Sequence, residues 1–191
     1  GIYSQADTFL DLFADGAVRI GNSSAGAPTT YVAVEPTGDT YYVGDGSGVP
    51  FGNMHLAGDA TVTVSASETW YEVNVNTPDF TAGKLNNITF SDHYITVAKA
   101  GMYSVVAQAA LATSIALQEV GLNVMVNGTV ATADHGHGTV QTAGRSSSIP
   151  YTTILDLAAN DQVSLAVINH TLATDITVEH AQLTITQVGG T

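Results

Sequence analysis

The amino-acid sequence predicts an all-β protein, an antiparallel jelly-roll sandwich preceded by a short N-terminal helix and a β-rich stalk or annex. From Thr61 onward, apolar residues alternate with smaller or more polar ones almost without interruption, most clearly over 103–109. A period of two is typical of strands with one buried face. Turn signals such as the Asn-Gly pair at 127–128 separate the runs, and no helical pattern intervenes. Many short strands at regular spacing favour a sandwich or jelly roll.

The chain divides into an N-terminal segment, residues 1–58, and a jelly-roll head, residues 59–191. A chain of 191 residues has room for one well-buried core of this size and an appendage, but not for two large domains. Near the start, Phe9, Leu10 and Phe13 share one face of an expected helix. That apolar face needs a neighbour, so we expect these three residues to serve attachment or oligomerisation.

The remainder of the N-terminal segment reads as a stalk. From residue 21 to residue 58 the chain is rich in Gly, Ser, Thr, Pro and Asp, with short β-like bursts TTYVAVE and TYYVG. Each burst is too short to bury a face alone, and the residues between the bursts are those of tight turns. The aromatic and β-branched content is too high for a disordered segment.

The charge balance excludes two classes of partner. The chain has 4 Lys and Arg against 17 Asp and Glu, a formal net charge of −13. Phosphate backbones are bound by clustered cations that release counterions, and four scattered cations cannot form such a patch. We therefore expect neither nucleic-acid binding nor docking on an anionic membrane, and no apolar run is long enough for membrane insertion. Charged residues make up only 11% of the chain, which favours a surface covered by partners in an oligomer.

No catalytic residues are predicted. Cysteine is absent, so there is no thiolate nucleophile and no disulfide framework, and no G-x-S-x-G motif occurs. Glu68, Glu72 and Asp92 could in principle supply paired carboxylates for glycoside cleavage, but the strand-like alternation more simply makes the two glutamates solvent-facing. The function is therefore expected to be non-enzymatic.

Four stretches resemble the C1q and tumour-necrosis-factor superfamily, in the right order. ITVAKAGMYSVVAQAAL (95–111) resembles its most recognisable strand pair, in which a turn is followed by a Gly-hydrophobic-Tyr step. GLNVMVNGTV (121–130) looks like the strand that ends in an Asn-Gly turn, and ILDLAANDQVSLAV (154–167) like the strand pair around Asp-Gln-Val. AQLTITQV (181–188) is similar to the closing strand. The resemblance covers roughly residues 61–188.

This resemblance implies a ten-strand jelly roll packed around a three-fold axis, with loops that present ligand contacts. The chain departs from the secreted animal members because it lacks a collagen repeat and has only 7% aromatic residues. Heads of this type that follow a Gly-, Asp- and Thr-rich β stalk also look like those on bacteriophage fibres, decoration proteins and other virion appendages. The absence of Cys and the scarcity of Lys fit that setting better than the secreted animal members. The virion setting is favoured over a bacterial surface or spore-coat protein.

His135 and His137 are a candidate metal site. They stand two residues apart in ADHGHGTV, which on an extended strand places both imidazoles on one face. Three such pairs on a three-fold axis would offer six nitrogens to one transition-metal ion, with iron, nickel or zinc favoured over calcium. The alternative is a polar loop in which the two glycines serve a turn. No other cofactor is expected, and Asp39, Asp45 and Asp59 in Gly-rich turns fit ordinary turns better than a calcium site.

Trp70 and Tyr71 are a candidate glycan-stacking pair that follows a Ser- and Thr-rich turn. The alternative, which is favoured, is that they plug the core of the first long strand. His170 and His180 are assigned to distal loops and a late strand rather than to a site.

Together these observations predict a virion structural protein, either a capsid decoration protein or a fibre or appendage. It is expected to form a homotrimer that attaches through its N-terminal segment to a larger assembly at the virion surface. Its head would stabilise that assembly or bind a host surface. The alternative is a carbohydrate-binding adhesin or lectin module, extracellular or on a bacterial cell surface, whose partner is a host-surface glycan.

Overall fold

The structure is a computed structural model. It describes the backbone of residues 8–12, 18–22, 31–34 and 40–43, and both backbone and side chains over 49–74 and 79–189. The chain splits into two compact units, Gly1–Gly48 and Val49–Thr191. In the part of the chain that is described, no helix is long and apolar enough to cross a membrane.

The N-terminal unit contains a four-stranded antiparallel sheet. Its strands are β1 (Thr8–Leu12), β2 (Val18–Asn22), β3 (Tyr31–Val34) and β4 (Thr40–Val43), paired in chain order. The bursts TTYVAVE and TYYVG contain β3 and β4, as their β propensity indicates.

The expected N-terminal helix is not formed over residues 8–12. Phe9 and Leu10 lie in β1, where Leu10 pairs with Ile20 of β2. A run of five residues is compatible with both a helical and a strand period, and pairing with β2 satisfies backbone groups that a one-turn helix would leave unpaired. Phe13 lies outside the described residues.

Within 49–74 and 79–189 the head contains twelve strands, and its predicted all-β class is confirmed. They are β5 (Phe51–Val62), β6 (Trp70–Glu72), β7 (Phe80–Asn86), β8 (Ile88–Ser91), β9 (Tyr94–Val97), β10 (Gly101–Thr113), β11 (Gln118–Val126), β12 (Thr129–Val130), β13 (Gly136–Val140), β14 (Ser147–Leu157), β15 (Gln162–Asn169) and β16 (Ile176–Gly189).

These strands form two antiparallel sheets. The five-stranded sheet has the order β14-β10-β16-β5-β7. The seven-stranded sheet has the order β12-β11-β15-β9-β8, with β13 also paired to β11 and β6 also paired to β15. From β9 through β11, and again from β14 through β16, successive strands alternate between the two sheets, which is the jelly-roll arrangement that the sequence predicts.

Strand β5 belongs to the head along its whole length. It pairs with β16 from Val62 opposite Ile176 to Phe51 opposite Thr186. The boundary expected between residues 58 and 59 therefore falls inside β5. The glycines at 52 and 58 give this stretch a turn-like composition, but Met54 and Leu56 are buried in alternation, so packing overrides that local signal.

The core lies between the two sheets and follows the predicted alternation. Tyr103, Val105, Ala107 and Ala109 on β10 are at most 1% exposed, and their register against β14 and β16 is continuous over this stretch. The Tyr103 hydroxyl donates to the carbonyl of Lys99 at 2.8 Å, so its polar end is satisfied. Burial raises the pKa of this phenol above its ordinary value.

Two of the predicted turns have the backbone that Asn and Gly favour. Asn127 and Gly128 have φ of 52° and 76°, a pair of left-handed residues that joins β11 to β12 in a tight hairpin. Asn160, between β14 and β15, has φ of 74°.

Candidate functional site

Polar side chains with hydrogen-bonding or aromatic partners gather on the outward face of the seven-stranded sheet. On this face His137 of β13 is paired with Gly121 of β11. Gly121 is also paired with Ile168 of β15, which in turn is paired with Trp70 of β6. Successive residues of a strand point to opposite faces, so Leu122 and Val167 face the core while this row faces outward.

A short segment, residues 131–135, crosses this face between β12 and β13; we call it the strap. Asn123, which is 0% exposed, holds it by donating from Nδ2 to the carbonyls of Thr132 at 3.0 Å and Asp134 at 3.2 Å. The Thr132 hydroxyl also donates to the Asp134 carbonyl at 2.8 Å. A buried amide thus fixes the path of the strap and sets the position of His135 at its end.

Gly121 provides the space into which His135 fits. A Cβ atom at Gly121 would lie 2.7 Å from Cγ2 of Ile168 and 3.1 Å from Cδ2 of His135. Both distances are shorter than ordinary van der Waals contact, so a side chain at this position would displace the imidazole.

Four rings meet at the end of the strap; we call Trp70, His135, His137 and His170 the imidazole cluster. His135 lies at its centre. Its ring centroid is 5.2 Å from that of Trp70 in a T-shaped contact, 5.2 Å from that of His170 in a stacked contact, and 5.6 Å from that of His137. His170, at the end of β15, therefore belongs to the same site as the two predicted histidines.

Each imidazole of the cluster has an oxygen nearby on one side of its ring. Nδ1 of His170 lies 2.8 Å from Oε2 of Glu68, and Nδ1 of His135 lies 3.3 Å from the carbonyl oxygen of Ala133. Nε2 of His137 lies 3.9 Å from Oε1 of Glu119. Among the described residues, the only buried side-chain nitrogen or oxygen without a hydrogen-bond partner is Nε2 of His170.

The predicted metal pair is only partly placed as expected. His135 and His137 do lie on one face with neighbouring rings. Within 49–74 and 79–189, however, no group of three or more His, Asp or Glu side chains is arranged to hold a metal ion. A shared ion on a three-fold axis stays a prediction. Sequence reasoning missed His170; the signal that could have found it is the alternation along β15, which puts Ile168 and His170 on the same face.

Trp70 and Tyr71 point to opposite faces of the seven-stranded sheet. Trp70 pairs with the outward-facing Ile168, whereas Tyr71 pairs with the core-facing Val167. The Tyr71 hydroxyl accepts a hydrogen bond from the amide of Ala66 at 2.8 Å, and its hydrogen bond with Ser65 lowers the pKa of the phenol. The two rings therefore cannot form one stacking platform, and a sugar would meet Trp70 alone.

A second polar group lies farther along the same face, around a depression of about 340 Å³. Ser164 donates to Oε1 of Glu72, and Nε2 of His93 lies 3.5 Å from the same oxygen. Nδ1 of His93 lies 3.0 Å from Oδ2 of Asp92. Of the three carboxylates considered for glycoside cleavage, Glu72 and Asp92 thus meet on His93, while Glu68 pairs with His170. Tyr94 and Gln162 complete the rim.

The outward face of the five-stranded sheet has a different character. Four adjacent strand segments contain no Asp, Glu, Lys or Arg; they are residues 148–154, 104–110, 180–186 and 51–57. We call the outward side of these segments the uncharged face. Its exposed large apolar side chains are Phe51, Val106 and Ile154. A shallow depression of about 430 Å³ lies on it, between His55, Gln108 and His180.

The remaining predicted residues lie elsewhere. Phe9 and Leu10 are in β1 of the N-terminal unit, whose side chains are not described. Asp39 and Asp45 lie outside the described residues, and Asp59 is exposed on β5.

Comparison with known proteins shows similarity in structure only. No family model matches the chain, and no curated protein sequence matches it. Solved structures of TNF and C1q jelly-roll proteins are similar to it. Eiger TNF from S. frugiperda is 17% identical, over 74% of this chain and 95% of that one, with a TM-score of 0.49. Murine APRIL is 12% identical over 72% and 99%, with a TM-score of 0.47. The globular domain of zebrafish complement 1qA is 13% identical over 74% and 98%, with a TM-score of 0.46.

Proposed function

We propose that this chain is a non-enzymatic structural protein whose jelly-roll head forms a homotrimer through the uncharged face of its five-stranded sheet. Its N-terminal unit attaches the trimer to a larger assembly, the surface of a virion, as a capsid decoration protein or as part of a fibre or appendage. The observation that carries this proposal is the uncharged face.

The charge of the chain supports another copy as the occupant of that face. With a net charge of −13, two copies repel each other wherever their acidic surfaces meet. The uncharged face presents no carboxylate, so copies can approach there without that cost. A basic partner would bind to an acidic surface of the chain. The uncharged face has only neutral groups and therefore complements another neutral surface.

The chemistry of the uncharged face also fits an interface. Interface cores are depleted in charged residues and contain apolar side chains surrounded by polar ones. Across the sheet, Val106 stands between Thr152 and Thr184, and the next row places Gln108 beside Gln182. Exposed Val106 and Ile154, 46% and 58% exposed, would lose much of their contact with water in a trimer.

The test is the mass of the protein in solution, measured by sedimentation equilibrium at micromolar concentration. We expect three times the chain mass of 19.7 kDa. Val106→Asp places a carboxylate in the centre of the face and is expected to give monomers. The matched control is Leu172→Asp, because Leu172 is also 46% exposed but lies in the loop after β15. A stable wild-type monomer, or equal dissociation in both variants, would contradict the proposal.

The virion setting rests on composition and on the division of the chain. The chain has no cysteine and few charges, and a separate β unit precedes the head. The test is whether the chain sediments with intact virus particles through a density gradient, and whether cryo-EM of those particles shows it at a three-fold position. Particles that lack the chain would contradict this assignment.

A carbohydrate-binding adhesin is the second candidate, favoured by the polar depression beside Glu72. Sugar sites combine fixed hydrogen-bonding groups with an aromatic ring, and Glu72, Gln162 and half-buried Tyr94 supply both. Glycan-array binding that is lost in Gln162→Ala, and kept in Gln141→Ala at an exposed turn, would support it. If the protein binds no glycan on the array, the result would contradict the adhesin and favour the architectural role.

A further inference from the structure

The imidazole cluster contains a feature that its protein contacts leave unexplained. Nε2 of His170 is buried and has no hydrogen-bond partner, although Nδ1 of the same ring lies 2.8 Å from Oε2 of Glu68. A buried polar atom normally has a partner, and leaving one unpaired costs free energy. Its ring neighbours that of His135, with the two ring planes inclined at 28°, and a partner of this nitrogen has to lie in the plane of the His170 ring.

The orientation of both rings is that of metal ligands. In a metal-binding histidine, the ring nitrogen that does not bind the metal usually donates a hydrogen bond to a carboxylate or a backbone carbonyl. This hydrogen bond fixes the tautomer, so that the other nitrogen has a free lone pair. His170 directs Nδ1 to the Glu68 carboxylate at 2.8 Å. His135 directs Nδ1 to the Ala133 carbonyl at 3.3 Å. In both residues Nε2 is left as the electron-pair donor.

The spacing of the rings fits one shared ion. Zinc lies about 2.0–2.1 Å from a coordinating imidazole nitrogen, so two rings on one ion at a tetrahedral angle have centroids roughly 5 Å apart. The centroids of His135 and His170 are 5.2 Å apart.

We propose that His135 and His170 bind one divalent transition-metal ion through their Nε2 atoms within a single chain, with Glu68 as the positioning residue behind His170. Neutral imidazole ligands suit zinc, copper and nickel. Two protein ligands leave the remaining positions to water, in agreement with the absence of a three-residue metal group in the described part of the chain. The site is independent of the proposed trimer, because it needs no residue of another copy.

The single tryptophan gives this site a direct reporter. Trp70 is the only tryptophan of the chain, and its ring centroid lies 5.2 Å from that of His135. Emission of the untagged full-length protein therefore reports on this cluster alone. Cu²⁺ quenches a nearby indole, so a Cu²⁺ titration is expected to quench Trp70 in a saturable manner, and Zn²⁺ is expected to compete. Calorimetry with Zn²⁺ is expected to give one ion per chain.

Variants separate this site from other histidines. His135→Gln and His170→Gln are expected to abolish saturable binding, and Glu68→Gln to weaken it by about 10–100-fold. His55→Gln and His180→Gln, on the five-stranded sheet, are the matched controls and should bind as the wild type does. His137→Gln should also retain binding. Circular dichroism verifies that each variant is folded.

Three results would overturn the proposal. One is the absence of saturable Zn²⁺ binding at millimolar concentration. A second is a stoichiometry of one ion per three chains, which would instead support a site on a three-fold axis. The third is equal loss of binding in His180→Gln and His170→Gln, which would mean that the metal binds to surface histidines without a defined site.

Discussion

Replacing Asn123 by Ala tests the account of the strap most directly. Asn123 is fully buried, and its amide donates two hydrogen bonds to strap carbonyls while its Oδ1 accepts one from the amide of Val124 at 2.7 Å. Each such bond contributes about 1 kcal/mol net, and a buried partner left unpaired costs about 1–3 kcal/mol more. We therefore expect the variant to lose about 3 kcal/mol of unfolding free energy, which for a domain of this size lowers Tm by roughly 10 °C.

The assay is urea unfolding followed by far-UV circular dichroism and by Trp70 emission, at one fixed protein concentration because assembly affects apparent stability. Asn74→Ala, at an exposed position just after β6, is the control and should change stability by less than about 0.5 kcal/mol. Because the strap carries His135 onto Trp70, the folded variant should also show altered Trp70 emission. A stability loss below about 0.5 kcal/mol, or native emission in the folded variant, would refute this account.

Three further substitutions test other parts of the head. Gly121→Ala should lower the free energy of unfolding by about 1–3 kcal/mol and change Trp70 emission, because its Cβ would lie 2.7 Å from Ile168. Unchanged emission would contradict the position of His135 over Gly121. Tyr103→Phe should cost about 1 kcal/mol in urea unfolding, since it removes the hydrogen bond from the Tyr103 hydroxyl to the Lys99 carbonyl; a neutral result would contradict a stabilising role for this bond. Leu117→Asn should stabilise by up to about 1 kcal/mol, because Leu117 has φ of 59° and is 66% exposed; a loss of stability would mean that its side chain packs against something.

The strands of the head could be predicted because one face of each is buried. A shift of one residue would turn every inward side chain of β10 to solvent, so the alternation over 103–109 specifies the register strongly. The turn at Asn127 and Gly128 could be predicted because few other residues adopt positive φ cheaply. Residues 8–12 lack the first signal, since five residues do not separate the helical period from the strand period.

The imidazole cluster could be predicted only in part. His135 and His137 stand two residues apart, and this spacing predicts a shared face, although only His137 lies in a strand. The approach of His170 depends on the pairing of β11 with β15 and on the absence of a side chain at Gly121. Neither the pairing partner nor the path of the strap is encoded in a local pattern. The deciding residue, Asn123, looks in the sequence like any polar residue of a strand, and only its complete burial shows that it holds the strap.

The placement of the two surfaces on opposite sides of the sandwich separates the two ideas about metal binding. If the uncharged face lies against the trimer axis, the imidazole cluster of each copy lies on the far side of its own sandwich, since the two belong to different sheets. Packed sheets are about 10 Å apart, whereas a metal ion reaches its nitrogen ligands at about 2.0–2.1 Å. No single ion could then bridge His135 and His137 of three copies. A trimer built on Val106 therefore requires any metal at His135 to be held within one chain, where the ring centroid of His170 lies 5.2 Å from that of His135.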